Sequence, residues 1–138
     1  MTPLYAKELD LSRYNVLAVD DVPLNLILIQ KMLAKFKFQV RTAGNGVQAM
    51  EAIVAQKPDL ILLDLMMPVM DGFEVIKHVR ETPGIADIRI VILSALNSNE
   101  DIVRGYQMGA NDFITKPIIL EKLLNSVATQ LMLVGSGQ

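Results

Sequence analysis

The sequence contains no cysteine, and its 138 residues include a single histidine, His78. Without cysteine the chain cannot form a disulfide, a thiolate zinc or iron–sulfur site, or a cysteine nucleophile. One histidine excludes a multi-histidine metal site and argues against a Ser–His–Asp triad. These absences remove several large classes of catalytic and metal-binding protein. His78 itself is expected to be an exposed or half-exposed residue of a helix.

An excess of charge of either sign is also missing. The 15 acidic residues nearly balance the 13 Lys and Arg residues, and 51% of the chain is hydrophobic. Direct nucleic-acid binding is not expected, because it needs clustered basic residues. No charge-free apolar run approaches the roughly 18–20 residues of a membrane span, and the first residues lack the order of a signal peptide. We therefore expect a cytoplasmic protein that binds no membrane.

Short apolar runs alternate five times with longer helical patterns. The expected strands are residues 16–19, 38–42, 60–63, 88–93 and 112–115. The expected helices are residues 23–37, 47–56, 72–81, 99–108 and 117–134. This rhythm predicts an α/β fold: a single doubly wound, flavodoxin-like sheet of five parallel strands in the order 2-1-3-4-5, with five helices. Residues 13–134 would form this domain, residues 1–12 an N-terminal tail and residues 135–138 a C-terminal tail or linker.

Polar residues stand at the carboxyl ends of four of the expected strands. Asp20 and Asp21 end the first strand, and Asp64 ends the third. Ser94 and Lys116 end the fourth and fifth. Ligands of open α/β sheets bind at this edge, where the strand order reverses. We expect three carboxylates to meet there beside a hydroxyl and an ammonium group.

Three clustered carboxylates repel one another, and a hard divalent cation such as Mg²⁺ removes that repulsion. A carboxylate that the metal does not fully use can act as a nucleophile and form an aspartyl phosphate. Lys116 and Ser94 would then stabilise the phosphoryl oxygens. Each residue alone also has an ordinary explanation, for example as an acid at a helix start. Their common position at one sheet edge favours a functional site.

Four motifs in this order resemble a bacterial response-regulator receiver domain of the single-domain, chemotaxis-regulator-like kind. The motifs are Val19-Asp20-Asp21, Asp64-Leu65-Met66-Met67-Pro68-Val69-Met70-Asp71-Gly72, Leu93-Ser94-Ala95 and Gly109-Ala110-Asn111-Asp112-Phe113-Ile114-Thr115-Lys116-Pro117. The resemblance covers roughly residues 13–134. It implies a two-component phosphorelay in which a histidine kinase or histidine phosphotransfer protein donates a phosphoryl group.

The resemblance also implies roles for individual residues. Asp64 would be the phosphoacceptor. Mg²⁺ would be held by Asp20, Asp21 and Asp64, with the backbone carbonyl of Met66 as a further ligand. The apolar Met66 and Leu96 side chains, two residues beyond Asp64 and Ser94, offer no polar group to orient water. Self-dephosphorylation is therefore expected to be slow.

Other residues would carry the response. Ser94 would move to the phosphoryl group, which the small Ala95 leaves accessible, and Phe113 would turn inward as the switch aromatic. Lys116 would pair with the phosphoryl oxygens, and the Lys116–Pro117 bond is expected to be cis. The fourth helix, fifth strand and fifth helix would then present a changed surface to an output partner or a second copy.

Two alternatives remain. The Gly44-Asn45-Gly46-Val47-Gln48-Ala49 segment matches G-x-G-x-x-A and could belong to a flavodoxin-like small-molecule or nucleotide binder. The other alternative is a receiver scaffold that is never phosphorylated. A haloacid-dehalogenase-like phosphatase is disfavoured, because Met66 stands where that family places a second Asp.

Apolar residues of the first and last helices are candidate partner surfaces. Residues 24–29 are too uniformly apolar to face one core, so some of Leu26, Ile27 and Ile29 are expected to be exposed, with Ile118 and Ile119 nearby. Such a patch would suit the helix bundle that carries a phosphohistidine, or it would be scattered surface. On the last helix, we expect Leu120, Leu124 and Val127 to pack on the sheet and residues 131–134 to extend beyond the core.

Overall fold

Five parallel strands form one sheet in the order β2-β1-β3-β4-β5 in the computed structural model, which describes residues 10–134. The strands are β1 (Asn15–Val19), β2 (Gln39–Ala43), β3 (Leu60–Leu63), β4 (Arg89–Ser94) and β5 (Asp112–Thr115). The helices are α1 (Pro23–Met32), α2 (Gly46–Ala55), α3 (Gly72–Glu81), α4 (Asn99–Met108) and α5 (Leu120–Met132). The predicted fold class and strand order are confirmed.

The sheet is covered on both faces, because its central strands are apolar on both sides. All four residues of β3 are buried, as expected for a strand in a parallel α/β sheet. Alternate residues of each strand enter one of two apolar clusters: Val16 and Leu62 belong to the cluster that contains α1 and α5 residues, whereas Leu17 and Ile61 belong to the one that contains α2 and α3 residues. The polar carboxyl ends of the strands emerge between these two layers.

Helix α1 ends five residues earlier than the pattern indicates. The expected helix ran to residue 37, but α1 ends at Met32 and the chain turns after it. The turn brings the rings of Phe36 and Phe38 into a stack with centroids 5.5 Å apart. Both rings are buried, so tertiary packing overrides the helical periodicity there.

The last helix also differs from its predicted limits. It begins at Leu120 rather than Pro117, because Ile119 is extended and serves as the N-cap. Leu124 and Val127 are buried as predicted, but Leu120 is exposed. Leu131, expected beyond the core, is fully buried. The helix therefore packs on the sheet almost to its end.

The apolar residues of α1 are divided between the core and the surface. Leu26 and Ile29 are buried, so of the three residues considered only Ile27 reaches the surface, which agrees with the expectation that some of them are exposed. Ile27 is exposed, as are its neighbours Leu24 and Leu28. Ile119 is exposed as well, so apolar side chains do remain on this surface.

The ends of the chain are described in part. Leu11, assigned to the predicted tail, is 5% exposed and belongs to the cluster with α1 and α5. The rest of that tail up to residue 9, and the predicted C-terminal tail 135–138, lie outside the described residues. Between residues 10 and 134, every helix is too short or too polar to cross a bilayer.

Candidate functional site

Three carboxylates converge where β1 and β3 end. Asp20 and Asp21 follow β1, and Asp64 follows β3. The backbone N–H of Asp64 donates to the carbonyl of Val19 at 3.0 Å, which extends the pairing of the two strands to the acidic residues. One carboxylate oxygen from each of the three residues lies within 4.8 Å of the others. Asp20 and Asp64 are buried, whereas Asp21 is exposed and gives the cluster an opening to solvent.

Lys116 reaches this cluster from the end of β5. Its Nζ lies 2.9 Å from Asp20 Oδ2 and 3.7 Å from Asp64 Oδ2. The backbone N–H of Lys116 donates to the carbonyl of Ser94 at 2.8 Å, which fixes the lysine beside the end of β4. The Lys116–Pro117 bond is cis, as expected.

The remaining predicted residues surround the same edge. Ser94 is fully buried at the end of β4, and its Oγ accepts a hydrogen bond from the N–H of Leu96 at 3.2 Å. Ala95 is exposed and Leu96 half-buried. Phe113 is half-buried and packs against the cluster that contains α2 and α3 residues, close to Gly105 of α4.

The loop after Asp64 holds the carboxylate from the other side. Met66 donates its backbone N–H to Asp64 Oδ1 at 3.3 Å, while its side chain is exposed. At Gly72, a Cβ would collide with the backbone carbonyl oxygen of Asp64. Glycine at the start of α3 therefore lets the helix approach the strand end closely. Asp71, the N-cap, closes the loop through a capping box with Glu74.

Burial dominates the electrostatics of Asp64. Removal from solvent raises the pKa of this carboxyl, and the charge of Lys116 opposes the rise in part. The neighbouring charges of Asp20 and Asp21 raise the pKa of Asp64 further. The fold thus holds a carboxylate whose charge is incompletely compensated by the protein.

This imbalance predicts a pH-dependent stability effect. In the unfolded chain Asp64 ionises near its ordinary pKa of 3.8. Above this pH the raised pKa of the folded state lowers the free energy of unfolding, because the unfolded chain loses its proton more easily than the folded one. Well below this pH the effect vanishes, because Asp64 is protonated in both the folded and the unfolded state. In Mg²⁺-free buffer at pH 7, Asp64→Asn should measurably raise the melting temperature. The gain should shrink as the pH falls toward 4. The exposed Asp87→Asn is the control for which no gain is expected, and a lower melting temperature of Asp64→Asn would contradict the argument.

The donor set fits a hard divalent cation. Three carboxylates from two strand ends supply oxygen ligands, as Mg²⁺ prefers, and one of the three is open to solvent. Mg²⁺ usually needs only one or two protein carboxylates and keeps several waters. The residues present therefore suit magnesium with an exchangeable ligand.

The glycine-rich turn serves as a helix cap. Asn45 caps α2, its side chain accepting from the N–H of Gln48 at 2.8 Å. The N–H of Gly44 donates to Gln48 Oε1 at 2.9 Å, and a Cβ on Gly46 would strike the backbone of Met70. In a dinucleotide-binding fold, N–H groups of this turn would bind a pyrophosphate. Here the N–H groups of Gly44 and Gln48 already donate to side chains of the turn itself. The structure gives the nucleotide-binding alternative no support.

Sequence reasoning missed Asn25, which joins the site from the first turn of α1. Its Nδ2 donates to Asp20 Oδ2 at 3.1 Å. The signal was present: Asn25 is the one polar residue within 24–29, and it follows Asp20-Asp21 by about one helical turn.

Comparison with known proteins identifies the class of protein. The family model for the response regulator receiver domain matches residues 16–128. The chain therefore belongs to the response-regulator receiver domain family of two-component signalling.

Relatives of this chain are longer proteins. Response regulator PleD of Caulobacter vibrioides is 40% identical over 103 residues, covering 75% of this chain and 23% of PleD. A probable cyclic di-GMP phosphodiesterase of Vibrio cholerae is 37% identical over 123 residues, covering 88% of this chain and 27% of the relative. The chain thus spans about a quarter of the length of these relatives.

Solved structures agree with the fold. Chemotaxis protein CheY4 of Vibrio cholerae superposes with a TM-score of 0.78 at 32% identity, covering 84% of this chain and 97% of CheY4. The receiver domain of a putative Luxo repressor protein from Vibrio parahaemolyticus gives a TM-score of 0.82 at 32% identity, covering 87% and 91% of the two chains.

Proposed function

We propose that this chain is the phosphoacceptor of a two-component phosphorelay, and that Asp64 receives the phosphoryl group from a histidine kinase or a histidine phosphotransfer protein. One observation carries the proposal: Asp64 ends the central strand β3, with Asp20, Asp21, Ser94 and Lys116 around the same edge. A nucleophilic carboxylate, further acidic ligands, an ammonium and a hydroxyl are the groups that phosphoryl transfer to an aspartate requires.

The chemistry follows from these groups. A carboxylate oxygen of Asp64 attacks phosphorus, the bond from phosphorus to the imidazole nitrogen of the donor breaks, and the released imidazole takes up a proton. Lys116 Nζ lies 3.7 Å from Asp64 Oδ2 and would compensate the charge on the phosphoryl oxygens. Mg²⁺, held by Asp20, Asp21, Asp64 and the Met66 carbonyl, would neutralise charge on the carboxylates and the phosphoryl oxygens.

Ser94 and Phe113 would convert phosphorylation into a change of surface. Ser94 lies at the end of β4 and would turn its hydroxyl toward the phosphoryl group. Phe113 lies on β5 near Gly105 of α4, so an inward movement of its ring would alter how α4 packs. The surface of α4, β5 and α5 would then recognise an output partner or a second copy of the chain.

The phosphoryl group should be lost slowly. Met66 and Leu96 are apolar and flank the site, and Met66 is exposed at its mouth. Met66→Asn adds an amide that can orient a water, and we expect phosphate loss to accelerate about tenfold. Val69→Asn is the matched control, since Val69 is exposed in the same loop with a φ of 69° that Asn tolerates. Rapid unassisted decay in the wild type would contradict the proposal.

The phosphohistidine donor should dock on the exposed apolar side chains of α1. Leu28 lines a cleft together with Pro117 and Ile118, directly beside Lys116. Leu28→Lys should slow transfer about tenfold from any phosphotransfer protein that phosphorylates the wild type, because it charges this apolar contact. Its reaction with acetyl phosphate should be unchanged. Val54→Lys places the same charge on an exposed apolar residue of α2 and should match the wild type with both donors. Equal slowing by both variants would refute a specific surface.

The proposed function is tested by the intact mass of the wild type after incubation with acetyl phosphate. A gain of one phosphoryl group that requires Mg²⁺ is the expected result. If no mass is gained, a phosphohistidine protein replaces acetyl phosphate as the donor. Failure with both donors would favour a receiver-shaped scaffold that is not phosphorylated.

A further inference from the structure

The carboxylate of Asp20 is held on both of its oxygens. Oδ1 accepts the backbone N–H of Val22 at 2.9 Å. Oδ2 accepts from two side chains, Lys116 Nζ at 2.9 Å and Asn25 Nδ2 at 3.1 Å. Asp20 is 2% exposed, so water can contribute little to its solvation. A charged and a neutral donor therefore share one buried oxygen.

Asn25 is built into the first turn of α1. Its backbone N–H donates to the carbonyl of Val22 at 3.0 Å, and the residue is half-buried in the cleft beside Lys116. The N-cap of α1 makes no side-chain capping hydrogen bond. The Asn25 amide acts here as a donor to Asp20, whereas capping the N-terminus of a helix requires an acceptor for its free N–H groups. A helix-capping role therefore does not account for this hydrogen bond.

The proposed phosphorylation would change which side chains donate to Asp20 Oδ2. Lys116 is closer to Asp20 than to Asp64, and it would have to turn toward the phosphoryl oxygens. That movement would remove one of the two side-chain donors to Asp20 Oδ2, and a buried acceptor that loses its donors is destabilised and less firmly oriented, even when a metal ion compensates the charge of its carboxylate. The neutral amide of Asn25 would remain bound to the same oxygen.

We infer that Asn25 is a positioning residue, whose amide holds Asp20 Oδ2 in place and thereby allows Lys116 to move to the phosphoryl group. This inference rests on the proposed function. It assigns to α1 a polar contribution to the site in addition to its apolar surface.

The test is Asn25→Leu, which keeps the shape of the side chain and removes the donor. The rate of phosphorylation by acetyl phosphate at saturating Mg²⁺ should fall about tenfold, as for loss of a hydrogen bond to a charged group. The Mg²⁺ dissociation constant, measured by calorimetry, should rise severalfold because Asp20 is less firmly oriented. Gln30→Leu makes the same exchange on an exposed part of α1 and should leave both quantities unchanged.

A spectroscopic measurement on the wild type does not depend on any variant folding. In ¹⁵N-labelled protein, the side-chain amide resonance of Asn25 should shift when Asp64 is phosphorylated, since the amide becomes the remaining side-chain donor to Asp20 Oδ2. An unshifted amide would overturn the inference. So would an Asn25→Leu variant within twofold of the wild type in both rate and Mg²⁺ affinity. A wild type that neither binds Mg²⁺ nor gains phosphate from either class of donor would overturn the proposed function itself.

Discussion

Asp64→Asn is expected to take up no phosphoryl group from acetyl phosphate or from a phosphohistidine donor. The asparagine amide cannot act as the nucleophile that a carboxylate provides. It can still accept the N–H of Met66, which donates to Asp64 Oδ1 in the structure. The loop after β3 should therefore keep its shape, and the loss should be at least a thousandfold in rate.

Two controls separate this chemical effect from a structural one. The circular dichroism of Asp64→Asn should match the wild type, and its melting temperature in Mg²⁺-free buffer should be higher. Asp87 is exposed, and its Oδ1 lies 2.8 Å from Lys57 Nζ. Asp87→Asn should leave phosphorylation intact. Phosphate uptake by folded Asp64→Asn at the wild-type rate would show that another residue is the acceptor.

Lys116→Met is expected to slow phosphorylation about a hundredfold. Removing one preorganised donor to developing charge typically costs a factor of 10²–10³. Methionine keeps most of the stem of Lys116, so the loss would report the ammonium group, which lies 3.7 Å from Asp64 Oδ2. The measurement is the rate of phosphate gain with acetyl phosphate at saturating Mg²⁺.

The matched control for this variant is Lys122→Met. Lys122 is exposed on α5, and its replacement by methionine removes the same positive charge. It should react at the wild-type rate. If both variants slowed equally, the effect would be one of net charge, and a wild-type rate for Lys116→Met would exclude the role proposed for its ammonium group.

The sequence predicted the sheet and the convergence of Asp20, Asp21 and Asp64 because both depend on simple patterns. Runs such as Leu60–Leu63 are buried on both faces wherever they lie in a parallel sheet. Once the strand order is 2-1-3-4-5, the carboxyl ends of β1 and β3 are adjacent by topology. No knowledge of side-chain packing is needed for that step.

Features that depend on particular side-chain contacts could not be predicted in this way. The early end of α1 is accompanied by the stacking of Phe36 on Phe38, a contact between two residues beyond the helix. Arg80 is another case: its guanidinium donates to the carbonyls of Gly109 and Ile88 and to Asn111 Oδ1. These bonds tie α3 to the start of β4 and to the chain between α4 and β5. Nothing in the local pattern of α3 indicates those partners.

The most direct test of the central claim is to locate the phosphoryl group on the wild-type chain. Borohydride reduces an aspartyl phosphate to homoserine, and peptide mass spectrometry then identifies the modified position. After incubation with Mg²⁺ and a phosphodonor, we expect homoserine at position 64 and an unmodified Asp20 and Asp21. Homoserine at another position, or stable phosphate on a hydroxyl with Asp64 unchanged, would contradict the account.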